Sequence, residues 1–148
     1  IISYKVASGR NKSTLLPSHK GKNTRMPWIL IAIGGSMGAL LRYGIDQAVL
    51  KTIGETSLGI FLINIMGSLV LGISAGWAIY KVDWPENYSL FLSVGFCGSF
   101  TTFSTLMLTS VNMMETGDYL KALINIIGSV TIGLMAAYVG LLLGKNYL

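Results

Sequence analysis

Apolar residues fall into four long blocks, at about 27–50, 58–80, 88–113 and 119–143. Each reaches the ~20 residues that a helix needs to cross a bilayer. The pattern therefore predicts an all-α membrane protein with four transmembrane helices joined by short loops. The third block departs from a plain lipid-facing pattern at Gly95-Phe96-Cys97-Gly98-Ser99-Phe100-Thr101-Thr102-Phe103-Ser104-Thr105, where two glycines and five hydroxyl residues interrupt it. Lipid offers no hydrogen bonds, so backbone leaves helical geometry at that depth only inside protein or beside a polar cavity. The third helix is thus expected to be broken near the membrane centre. Ion sites of channels and transporters are built at such breaks.

Two further patterns lie inside the blocks. The first block carries Gly34-Gly35-Ser36-Met37-Gly38-Ala39, whose Gly34 and Gly38 form a GxxxG pair suited to close helix approach. Arg42 and Asp46 follow at i and i+4. The second and fourth blocks share a repeat at an offset of 61. Ile63-Asn64-Ile65-Met66-Gly67-Ser68 aligns with Ile124-Asn125-Ile126-Ile127-Gly128-Ser129, and Gly72 with Gly133. Asn and Ser stand four apart in each copy and so share a helix face. Such a stripe suits close packing, with polar groups turned to one another or to a pore.

Charge separates the chain into a tail and a membrane unit. Only 11% of the 148 residues are charged, against about 25% in soluble domains. The net charge of +5 arises from Lys5, Arg10, Lys12, Lys20, Lys22 and Arg25, since the remainder holds five basic and six acidic residues. Residues 1–25 read as a basic, disordered tail, and 26–148 as a four-helix channel domain. Lys81 and Lys145 on one side balance Lys51 and Lys121 on the other, so the loops leave either orientation open. Cys97 is the single cysteine and His19 the single histidine, which excludes an intrachain disulfide and a His-based metal site.

The candidate chemistry is anion handling without a catalytic constellation. Asn64 lies mid-span, where an unpaired amide is costly. It either makes an interhelical hydrogen bond or donates to a permeating anion, and Ser68, Asn125, Ser129 and Thr131 admit the same alternatives. Arg42 either pairs with Asp46 or snorkels, or it draws anions into a vestibule. Phe103 either packs or turns its positive ring edge to an anion. Carbonyl oxygens on the other side of the break suit a small cation.

Taken together, the block from Gly34 to Tyr43, the span centred on Asn64, and the segment from Gly95 to Thr105 resemble the Fluc (CrcB) family of fluoride channels. The resemblance covers about residues 27–144. It implies a passive channel in the cell membrane that exports cytoplasmic fluoride for fluoride resistance. It also implies an antiparallel, dual-topology dimer with two pores, surrounded by membrane lipid, and a structural sodium ion at the dimer interface. On matching positions, backbone carbonyls of Gly98 and Thr101 would hold sodium. Phe103 would be a pore-lining ring, Asn64 a fluoride donor and Arg42 a vestibule cation. Ser129 would belong to the fourth helix's polar track, Thr102 and Ser104 would join the pore lining, and Asn125, which stands where many members place Tyr, would still offer an amide donor to the pore. Leu106 stands where family members commonly carry a second Phe. The partner is expected to be an identical copy, with a sister subunit in a heterodimer as the variant arrangement. Two rivals remain from the residues alone. A small proton-coupled multidrug exporter needs a membrane-embedded acid, whereas Glu55, Glu86 and Glu115 read as loop residues and Asp46 as near a span end. A non-conducting assembly subunit would use the glycines and asparagines only for packing.

Overall fold

The computed structural model describes residues 25–80 and 85–146. Four helical stretches in it are long and apolar enough to cross a membrane: Met26–Ile53, Thr56–Ile79, Glu86–Glu115 and Tyr119–Asn146. Each expected span is present and runs a few residues further at one or both ends. The tail reading, Arg25 apart, and Lys81 lie outside the described residues. We label the elements α1 (Met26–Ile53), α2 (Thr56–Tyr80), α3 (Glu86–Tyr88), a π-helix (Ser89–Cys97), α4 (Gly98–Phe100), α5 (Phe103–Glu115) and α6 (Tyr119–Asn146).

Local chemistry explains the element ends. Pro27 sits in the first turn of α1, where its missing N–H has no intrahelical partner to lose. Gly54 ends α1 at φ 83° and donates its N–H to Leu50 O at 2.9 Å. A side chain would be strained in that left-handed cap. Gly117 plays the same part after α5, at φ 85°, with its N–H on Met114 O and Asp118 N–H on Met113 O. These tight turns send successive spans up and down, so α1 runs parallel to the third span and α2 to α6.

Glycines set how close those parallel pairs come. A Cβ on Gly34 would strike Phe91 O, and one on Gly38 would strike Phe96 O. The contacts are four residues apart on α1 but five apart on the facing segment. That segment is the π-helix, whose i→i+5 bonding brings residues five apart onto nearly one face. The under-wound stretch and the GxxxG pair therefore fit each other. Gly38→Leu is expected to lower stability by about 3 kcal/mol, seen as a lower unfolding temperature in detergent. An unchanged unfolding temperature would count against this seam.

On the other side α2 and α6 interlock. Gly72 meets Ala137 O, Gly140 meets Leu69 O, and Gly144 meets Ile73 O. The paired numbers differ by 65 to 71, whereas the sequence repeat is offset by 61. The two repeat copies are therefore staggered by about two helical turns, roughly 10 Å. Asn64 and Asn125 consequently stand at different heights and do not face one another.

Candidate functional site

The site is organised where helical dihedrals lapse. Thr101 (φ −78°, ψ 156°) and Thr102 (φ −149°, ψ 115°) are extended between α4 and α5. Asn64 clasps this point from α2. Its Oδ1 accepts the Thr102 N–H at 2.8 Å, and its Nδ2 donates to Thr102 O at 3.1 Å. Three residues along the same helix, Gly67 makes room for Thr101 Cγ2 and the Phe100 ring. The Phe100 ring is itself stacked on Phe96, with centroids 5.5 Å apart.

This clasp frees carbonyls. The N–H that would close an α-turn on Gly98 O is that of Thr102, and it goes to Asn64 instead. The corresponding donor for Thr101 O is Thr105 N–H, which bonds Thr102 Oγ1 at 3.3 Å. Thr102 thereby serves as the N-cap of α5. Its hydroxyl also meets Thr105 Oγ1 at 2.8 Å and Ser104 Oγ at 3.5 Å. The two carbonyls singled out by the sequence are thus among those of residues 98–101 that lose their helical donors. Neutral carbonyl oxygens on one short segment suit a hard monovalent cation. Among the described residues, no group of three His, Cys, Asp or Glu side chains could hold a metal ion.

A groove of about 370 Å³ lies against the extended pair, lined by Asn64, Ser68, Thr102, Phe103, Leu106 and Ser129 among others. Phe103 is 71% exposed, so its ring is not core packing within one chain. Ser129 Oγ is buried without a hydrogen-bond partner. Leu106 is only 4% exposed and forms part of the groove wall. The first turn of α5 also begins here, and its unsatisfied N–H groups place the positive end of the helix dipole beside the groove.

Arg42 lies on the other side of Thr102. A cleft of about 210 Å³ brings it together with Asp46, Thr102 and Thr105. No ion pair joins Arg42 to Asp46, so the pairing considered from their spacing is not made. Glu86 opens and Glu115 closes the third span as helix-end residues, while Glu55 sits between α1 and α2.

Asn125 is placed apart from the Asn64 groove. Its Nδ2 donates to Ser110 Oγ at 3.0 Å, and Ser110 in turn donates to Leu106 O at 2.8 Å. Asn125 lines a separate groove of about 330 Å³ with Lys121 and Glu55. Sequence reasoning missed Ser110 and Thr105. Both follow the extended pair Thr101-Thr102, and only the stagger of α6 shows which hydroxyl meets Asn125.

Comparison with known proteins shows the family. The family profile described as CrcB-like protein, Camphor Resistance (CrcB), matches residues 29–141. A protein of Dehalococcoides mccartyi named fluoride-specific ion channel FluC is 34% identical over 118 residues, covering 79% of this chain and 91% of its own length. Proteins of the same name from Hydrogenobaculum and Parabacteroides distasonis are 35% and 36% identical over 119 residues, covering 98% and 91% of their own lengths. With a profile spanning most of the residues and relatives aligned over nearly their whole lengths, the chain is a multi-pass membrane protein that belongs to the CrcB family.

Proposed function

We propose that this chain forms a passive, fluoride-selective channel in the cell membrane. The observation that carries the reading is the buried, partnerless Ser129 hydroxyl in the same groove as Asn64 and the exposed Phe103 ring. A buried donor left without an acceptor is costly, and an anion passing through the groove would accept from it. Asn64 has one amide hydrogen left after binding Thr102 O, and the start of α5 adds backbone donors. The Phe103 ring edge adds a weak positive surface. These donors can replace the hydration of a small anion while none holds it tightly enough to prevent exit. Among the described residues, no carboxylate lines this groove. Fluoride that enters cells as uncharged HF ionises inside, and the anion leaves down its electrochemical gradient. Arg42 attracts it at the adjoining cleft.

The working unit in this reading is an antiparallel, dual-topology homodimer with the break in its third helix near the membrane centre. The exposed apolar faces of α1 and α6 leave ample surface for the second copy and for membrane lipid. Carbonyls of Gly98 and Thr101, relieved of their helical donors, would hold a sodium ion between the subunits. Bound there, sodium supplies a fixed positive charge and a tie between the two breaks.

Efflux from liposomes tests the channel reading directly. Vesicles loaded with fluoride and bearing the purified chain should release fluoride to an electrode far faster than vesicles without it. Chloride release should stay at background. Absence of fluoride release, from the chain alone or paired with a sister subunit, would sink the reading.

A further inference from the structure

Asp46 is a carboxylate inside a span that the channel chemistry leaves without a role. Seven residues of α1 follow it before the helix ends at Ile53, which puts it roughly 10 Å inside the helix end. Its Oδ1 is buried without a hydrogen-bond partner. The packing opposite is shaped around it, since a Cβ on Gly59 would lie 2.7 Å from that oxygen. Asp46 shares its cleft with Arg42 and Tyr43 from its own helix, Ile60 and Ile63 from α2, and Thr102 and Thr105 from the third span. Arg42 and Tyr43 are therefore the titratable groups facing it, and no ion pair ties it to Arg42. Thr102 borders both this cleft and the Phe103 groove.

Building on the channel reading, we propose that Asp46 sets the charge of the Arg42 cleft and so limits fluoride entry through it. As a carboxylate it offsets the field of Arg42 and repels an approaching anion. Without that carboxylate charge Arg42 is uncompensated and the cleft net positive. A unit charge roughly 10 Å from an anion, at an effective dielectric between those of protein surface and water, changes local anion occupancy about fourfold. The sign follows from the group: conduction rises when the negative charge at Asp46 is removed.

Fluoride currents in planar bilayers at pH 7.5 test this. Asp46→Asn should carry about four times the wild-type current, and the excess should shrink in high salt, which screens the field. Asp46→Glu, which keeps the charge, should show no such rise. Should Asp46→Asn not insert, Asp46→Ser takes its place. An Asn variant with the wild-type current, or a rise that high salt leaves intact, overturns the role of Asp46 and leaves the channel intact. A wild-type chain with no fluoride current removes the channel reading, and this inference with it.

Discussion

Phe103→Ile is expected to cut fluoride efflux about 100-fold while leaving the fold in place. The ring is 71% exposed in the single chain, so its removal opens no core cavity. Ile keeps apolar bulk in the groove but has no quadrupole, and only the positive ring edge can meet an anion favourably. In a dry constriction that contact weighs more than it would in water, because the field is poorly screened. A hundredfold change corresponds to ~2.7 kcal/mol in the barrier, which is large for one apolar exchange and therefore diagnostic. Phe103→Tyr, which keeps the ring edge, should retain most of the flux. Efflux from liposomes, beside the elution volume in detergent, separates the outcomes. Unchanged efflux in the Ile variant excludes an essential role for the ring, and a shifted elution volume would mean that Phe103 is packing between subunits.

The sequence made the four spans legible because membrane length and low charge leave few other uses for such blocks. The site was legible in part, through residue types that are costly in hydrocarbon. Asn64, Phe103, Leu106 and Ser129 converge on one groove, and Arg42 reaches the neighbouring cleft. What the chain did not disclose is relative height. The 61-residue repeat puts the same Asn/Ser stripe on α2 and α6, but the glycine contacts of the two helices set their register by packing, independently of the repeat. Asn125 therefore meets Ser110, two turns away from the Thr102 clasp. The π-helix was equally hidden. No residue from Ser89 to Cys97 demands it by propensity, and its spacing makes sense only against Gly34 and Gly38.

That clasp makes Asn64 the position where a small substitution should do most. Asn64→Ala removes both partners of the Thr102 backbone at once. A backbone amide and carbonyl left unpaired away from water cost several kcal/mol together. The cheapest repair is for Thr102 N–H to return to Gly98 O and close an ordinary α-turn. That repair rotates Phe103 out of the groove and takes back the Gly98 carbonyl. Fluoride efflux should therefore fall at least about 100-fold, or ~2.7 kcal/mol in the barrier. Any rise in unfolding temperature that sodium confers on the wild type should disappear with the carbonyl, since a ligand stabilises only the state that binds it. Asn64→Asp separates the two roles of the side chain. It keeps an oxygen acceptor that holds the Thr102 N–H away from Gly98 O, but it loses the donor to Thr102 O and brings negative charge to the fluoride route. It should lose efflux while keeping the response to sodium. Thermal unfolding in sodium against choline salts, measured beside efflux for both variants, gives the decisive comparison. If the Ala variant retains both efflux and the sodium response, Asn64 does not hold the break, and the freed carbonyls must owe their geometry to the Thr102 cap alone.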